Sequence, residues 1–322
     1  MWLLTHLRGV GNWEVPHLRG VMKGVEMIED DLNYQGIVIR PPSEADSLIL
    51  QITLGCSDNN CIFCPAYKDK KFQIKNISQI EKEVKKASEL YPHTRRIFYA
   101  DGDAVIIEQE ELLRILDMTV ENFPELSRIG VYGSIKSLEN KSVLQLKKLK
   151  EKKLCIIYLG IETGDPEVYG LIRKYGSPEK NIETCIKVKD AGIKLNTTVV
   201  LGLGGKQFSV PHAVNTAKVL NQAQPDQVAA LTLMIVEGTV IYNIARKGEF
   251  IALDKYEMLQ ELSMLIKNMD NFRCQFFSNH ASNYFPIRAR FPRDKESILA
   301  ELDSIIKHKK DNYLTPDQLR GL

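Results

Sequence analysis

Hydrophobic and polar positions alternate in blocks along this chain. Apolar runs rich in β-branched and aromatic residues recur at 48–54, 96–100, 128–132, 155–161, 195–201 and 229–236. Between them, apolar residues return every three or four positions, at 77–90, 108–122, 137–150, 179–191 and 210–221. The first pattern predicts strands and the second amphipathic helices. Strand and helix in regular alternation predict a parallel sheet covered by helices. The run Cys155-Ile156-Ile157-Tyr158-Leu159 is apolar throughout, as a strand buried on both faces requires. Six such units predict an α/β fold, a partial (β/α)6 TIM-like barrel of parallel strands with function on the loops after each strand. Helix ends agree: Gly192 follows Asp190-Ala191 as a C-terminal stop, and Asn76 or Ser78 stands where the first helix needs an N-cap.

Three segments follow from this reading: an N-terminal extension at 1–44, the core at 45–245, and a C-terminal extension at 246–322. The last carries helical periods at 253–269 and 295–309 and is expected to cover the barrel mouth. A near repeat, His6-Leu7-Arg8-Gly9-Val10 and His17-Leu18-Arg19-Gly20-Val21, is too short for a solenoid. From Asp311 onward the chain is expected to fray.

Composition narrows the function classes. The chain has 322 residues, enough for one barrel-sized domain, and a net charge of +2, which gives no electrostatic case for nucleic-acid binding. No apolar run approaches the roughly 18 residues of a membrane span. The N-terminus lacks the charged-then-apolar layout of a signal peptide. A cytoplasmic location is expected, with a small molecule as substrate and neither membrane nor nucleic acid as partner.

Chemistry concentrates in one loop. Cys56, Cys61 and Cys64 follow the first strand within Gly55-Cys56-Ser57-Asp58-Asn59-Asn60-Cys61-Ile62-Phe63-Cys64-Pro65. Three thiolates on a four-iron cube leave one iron open to a substrate or cosubstrate. Two other readings stand beside this one. A structural zinc needs a fourth ligand from elsewhere, and Cys61-Ile62-Phe63-Cys64 also has redox-dithiol spacing. Chain length, six scattered cysteines and no secretory segment argue against a disulfide framework.

The loops after the later strands add polar groups. Ala100-Asp101-Gly102-Asp103-Ala104 offers two carboxylates and a glycine that admits close approach, or else a helix-capping turn. Ser134 and Lys136 follow the third strand, and Glu162 ends the fourth within Gly160-Ile161-Glu162-Thr163-Gly164. A glutamate there is costly without a partner. Gly202-Leu203-Gly204-Gly205 lacks the Lys-Ser/Thr of a phosphate loop and suits packing of a flat base.

Together these motifs resemble the radical S-adenosylmethionine (SAM) superfamily over roughly 45–240. The similarity is to the branch of oxygen-independent coproporphyrinogen oxidases, methylthiotransferases and elongator-type catalytic subunits. Asp101-Gly102-Asp103 stands where that family has Gly-Gly-Glu; Gly160 to Gly164 resembles its Gly-x-Glu-Ser-Gly, and Glu237-Gly238-Thr239 its Pro-Gly-Thr. The cysteine spacing departs from it, four residues then two instead of three then two. The resemblance implies that Cys56, Cys61 and Cys64 hold a [4Fe–4S] cluster. It further implies that Phe63, Asp101, Gly102, Asp103, Ser134, Glu162, Gly202 and Gly204 surround SAM. The implied activity is reductive cleavage of SAM to a 5′-deoxyadenosyl radical that abstracts hydrogen from a small or medium-sized substrate. The implied redox partner is a flavodoxin- or ferredoxin-like electron donor. A non-catalytic cluster- and SAM-binding scaffold or carrier is the alternative reading.

Specificity is expected in Ser278-Asn279-His280-Ala281-Ser282-Asn283-Tyr284, followed by Arg288, Arg290 and Arg293, with His280 a candidate catalytic proton donor or acceptor. A capped, solvent-facing loop is the competing reading of that run.

Overall fold

The computed structural model describes residues 32–321. The near repeat at 6–21 and most of the N-terminal extension lie outside the described residues.

The expected strands form one sheet. In chain order they are β1 (Leu48–Gln51), β4 (Arg96–Ala100), β5 (Arg128–Gly133), β6 (Leu154–Glu162), β7 (Lys194–Leu201) and β8 (Gln227–Thr232), all parallel to their neighbours. A small hairpin, β2 (Thr53–Leu54) with β3 (Gln73–Ile74), brackets the cysteine loop. Two further strands continue the sheet: β9 (Cys274–Phe277), parallel to β8, and β10 (Arg288–Phe291), antiparallel to β9. The C-terminal extension is therefore part of the same sheet, with β1 and β10 as its two edges.

Helices cover the convex face. They are α1 (Ile77–Leu90), α2 (Gln109–Asn122), α3 (Ile135–Glu139), α4 (Val143–Glu151), α5 (Pro166–Leu171), α6 (Pro178–Asp190), α7 (Gly205–Ala223), α8 (Val240–Arg246), α9 (Lys255–Asn268) and α10 (Lys295–His308). In α1 the Asn76 side chain accepts the Ser78 N–H as N-cap, and Ile80, Val84 and Ala87 turn to the core at helical spacing. The single helix expected at 137–150 is two. Ser134 and Ser142 each start a new helix through a capping box, and the helical run breaks at 140–142 between the two.

Side chains alternate across the strands. Ile157, Leu159, Leu195, Val199, Val228, Ala230, Phe276 and Ala289 join the main core under the helices. The opposite, concave face carries Tyr158, Gly160, Asn196, Thr198, Gln227, Ala229, Gln275 and Phe277. Near the amino ends of the strands Glu44 closes this interior. It is wholly buried and accepts from Tyr158 Oη at 2.5 Å and Arg128 Nη1 at 2.5 Å, with Ser47 Oγ on its other oxygen. Without those donors a buried carboxylate would be strongly destabilising.

The C-terminal tail does not fray. Thr315 N–H bonds Tyr284 O at 2.7 Å, Gly321 N–H bonds Ala281 O at 3.2 Å, and the Arg320 guanidinium lies 3.7 Å from the Tyr284 ring. These contacts strap the tail over the loop between β9 and β10, a fixation that its short polar sequence does not advertise. Among the described residues no helix is long and apolar enough to cross a membrane.

Candidate active site at the carboxyl ends of the strands

The cysteine loop leaves β2 and is held from three sides. Ile62 N–H donates to Ile172 O at 3.1 Å at the end of α5, and Ile241 N–H at the start of α8 donates to Ile62 O at 3.1 Å. Asp58 accepts the Tyr175 N–H at 3.1 Å, and Asn59 Nδ2 donates to Tyr67 O at 2.7 Å. Ile62 and half-buried Phe63 pack with Val168, Ile172, Val200 and Ile241. All three loop cysteines are half-buried free thiols. Burial pushes Cys61 up to about 12 against the pull of Lys174, and burial raises Cys64 as well, with Cys56 among the lesser causes. Among the described residues, no three His, Cys, Asp or Glu side chains are drawn together around a single ion. The three thiols are neighbours, and an all-thiol donor set suits an iron–sulfur group.

After β4, Asp101 and Asp103 are both wholly buried but differently used. Oδ2 of Asp101 accepts from Gly55 N–H at 3.0 Å, Gln51 Nε2 at 3.1 Å and Lys70 Nζ at 3.0 Å, tying the start of the cysteine loop to the end of β4. Asp103 Oδ2 accepts from Ser57 Oγ at 2.5 Å and Ser134 Oγ at 2.7 Å; burial raises its carboxyl and these hydroxyls oppose the rise. Oδ1 of each aspartate and Tyr67 Oη are buried without a partner. Unpaired buried polar atoms are rare, and bound water or a ligand would satisfy these. Between the aspartates, a Cβ on Gly102 would stand 2.7 Å from the Tyr67 ring and 3.2 Å from Cys56 Cβ, so glycine is what lets the first cysteine approach β4.

Glu162 ends β6 at a register shift, with a left-handed backbone (φ 59°). This turns its carboxylate back over the strand: a Cβ on Gly160 would lie 2.0 Å from Oε1. Its partner is Lys174, 3.4 Å away, both side chains only 13% exposed. Burial opposes the charge of Lys174, but the Glu162 carboxylate beside it outweighs burial and the net shift of the amine is upward. Sequence reasoning missed Lys174 and Tyr67. Lys174 follows the six-residue α5, too short to register as a helix, so nothing in the pattern foretold its return to Glu162.

The glycine turn after β7 is locked from behind. Gly202 (φ 84°) donates its N–H to Glu261 of α9 at 2.6 Å, and a Cβ there would meet Met258 at 2.3 Å. Gly204 packs on Phe208. Glu261 also accepts from Ser209 at 2.5 Å and lies 3.5 Å from His212, whose other ring nitrogen meets Thr163 at 2.8 Å. One buried network thus positions the ends of β6 and β7 together.

His280 lies in the loop after β9, at the same end of the sheet. Its Nδ1 accepts the Ser282 N–H at 3.1 Å, and burial lowers its affinity for a proton. Ser282 and Asn283 bond β8 at Thr232 and Ala230. Arg293 pairs with Asp294 through two contacts of 2.6 and 3.0 Å.

Residues 50–214 match the family model described as the Radical SAM superfamily, about half of the chain. The chain is 26% identical to the uncharacterized protein MJ0486 of Methanocaldococcus jannaschii, covering 77% of this chain and 76% of that one. It is 25% identical to a biotin synthase of Methanococcus maripaludis, covering 66% of this chain and 63% of the enzyme. Among solved structures it resembles methylornithine synthase (PylB), with a TM-score of 0.50, 16% identity, and 69% and 63% of the two chains covered. Coproporphyrinogen III oxidase (HemN) of Escherichia coli gives 0.51, 15% identity, and 69% and 52%. The latter similarities show the fold. With the family match over half its length, this chain belongs to the radical SAM superfamily, whose members are enzymes that bind a [4Fe–4S] cluster and SAM.

Proposed function

We propose that Cys56, Cys61 and Cys64 ligate a [4Fe–4S] cluster and that the groups around them bind SAM for hydrogen abstraction from a small or medium-sized substrate. When bound, the reduced cluster and SAM supply a 5′-deoxyadenosyl radical. The observation that carries this reading is the half-buried Glu162–Lys174 pair beside three neighbouring thiols. A zwitterionic amino-acid group complements such a pair, carboxylate to Lys174 and ammonium to Glu162. The free Oδ1 of Asp103 is a second acceptor for the ammonium, with Ser57 and Ser134 orienting the carboxylate. Asp101 and Gly102 act on the site by holding Gly55 and admitting Cys56. Gly202 and Gly204 form a turn fixed by Glu261, and Phe63, Ile62 and Val200 exclude water beside it.

Exposed Lys68, Lys71 and Lys136 place positive charge around the cysteine loop, which suits an acidic flavodoxin- or ferredoxin-like donor. The test is electron paramagnetic resonance of the anaerobically reconstituted, reduced protein. The reading expects a cluster signal whose shape changes on adding SAM; a signal indifferent to SAM would contradict it.

A further inference from the structure

The concave face continues past the SAM-binding half of the site onto β9 and β10. Register joins Gly160, Thr198, Ala229, Phe277 and Arg288 in one row across five strands. Four inter-strand steps of about 4.8 Å make this row roughly 19 Å long around the curve. The Glu162–Lys174 pair overhangs one end, at Gly160. The middle of the row carries only small residues, Gly160, Thr198 and Ala229, each half-buried. At the far end the Arg288 guanidinium lies 6.0 Å from the Phe277 ring.

The adjacent row is polar throughout: Tyr158, Asn196, Gln227, Gln275 and Arg290. Asn196 Nδ2 donates to Gln227 at 2.9 Å, and Gln227 Nε2 donates to Gln275 at 2.8 Å. Asn196 is 4% exposed, yet its Oδ1 has no partner. Among the described residues, neither Arg288 nor Arg290 has a side-chain hydrogen bond or ion pair. Asp294, the acid beside Arg290, is already held at two points by Arg293 and accepts the Arg290 backbone N–H. Arg288 and Arg290 are alternate residues of one strand, about 6.8 Å apart, so both guanidinium forks can converge on one anion.

We propose that the substrate carries a carboxylate or phosphate group that Arg288 and Arg290 hold at the outer edge of the cleft, while its reacting carbon lies toward Glu162 and Lys174. This rests on the radical SAM reading, since that reading sets which end is reactive.

The test follows thermal unfolding of the anaerobically reconstituted protein in sodium phosphate, sodium succinate or sodium chloride at matched ionic strength. Phosphate or succinate is expected to raise the midpoint by about 2 °C or more over chloride. A rise with phosphate alone assigns a phosphate ester, and a rise with succinate alone a carboxylate. The rise is expected to vanish in the Arg288→Gln, Arg290→Gln double variant and to persist in Arg293→Gln. No rise over chloride, or a rise that survives the double substitution, would overturn the proposal and leave the arginines as guards of a sheet edge. Iron content of the same samples separates the two ideas: protein without iron defeats the radical SAM reading whichever way the anions behave.

Discussion

Two polar loops stand at the same end of this sheet, and they differ in what their polar groups are doing. Around the cysteine loop, Asp101 Oδ1, Asp103 Oδ1 and Tyr67 Oη are buried and unanswered, and a half-buried lysine lies beside three thiols. In the loop after β9, His280 is answered by Ser282, and Asn283 by Thr232, Ala230 and the His280 carbonyl. Ser278 Oγ is the exception there. Both stretches look equally polar in sequence. Burying polar atoms without partners is destabilising by roughly 1–3 kcal/mol each, so several in one place call for a partner, which bound water or a ligand would supply. A satisfied loop of similar composition needs no ligand to explain it.

The largest effect expected from this contrast is on the thiols. Replacing Cys56, Cys61 or Cys64 singly by alanine should take iron from about four per chain to near none, because a cube with two protein ligands is not retained. Replacing Cys155, Cys185 or Cys274 should leave it unchanged. Iron and sulfide assays of all six variants make the comparison.

Next is Lys174. Lys174→Met strands Glu162 as a buried carboxylate, which should destabilise the protein by about 3 kcal/mol and weaken SAM binding more than tenfold. Adding Glu162→Gln should restore most of the stability but not the SAM affinity. Denaturant unfolding and calorimetric titration together check this, and recovery of both would make the pair merely structural.

Gly102→Ala should act through crowding. The new methyl meets Tyr67 and Cys56, so a cost of about 1–3 kcal/mol and a partial loss of iron are expected. Combining it with Tyr67→Ala should recover part of that loss.

His280→Gln sharpens the other side. If the loop after β9 is self-sufficient, stability should fall by about 1 kcal/mol and SAM affinity should stay within twofold. A large loss of product formation with unchanged stability would return His280 to the chemistry.

The smallest effect concerns Asp294, whose carboxyl Arg293 holds at about 2. Its folded value lies below the unfolded one, so its contribution is present above the ordinary carboxylate range and lost as pH falls toward 2. Carbon-detected NMR titration should read the depressed value, and Arg293→Gln should return it toward normal.

Much of the frame was legible because buried parallel strands and amphipathic helices write their period into the chain. The 96–100 strand and the 77–90 helix fall on the predicted bounds. Strands β9 and β10 escaped notice because four residues, Cys-Gln-Phe-Phe and Arg-Ala-Arg-Phe, are too few to declare a period of two. That the three loop cysteines lie close together was legible from their spacing. Lys174 and Glu261 were not, since each reaches its partner across the fold, and a sequence period encodes a face, not a contact. The polarity of 278–284 suggested a site, and its hydrogen bonds show how much of that polarity the loop consumes itself.

One measurement tests the central claim most directly. Anaerobically reconstituted protein is mixed with SAM and a strong one-electron reductant, and iron, sulfide and 5′-deoxyadenosine are quantified in the same sample. The account predicts about four irons per chain and deoxyadenosine that disappears in Cys61→Ala. Zinc in place of iron, or a full cluster that leaves SAM intact, would contradict it.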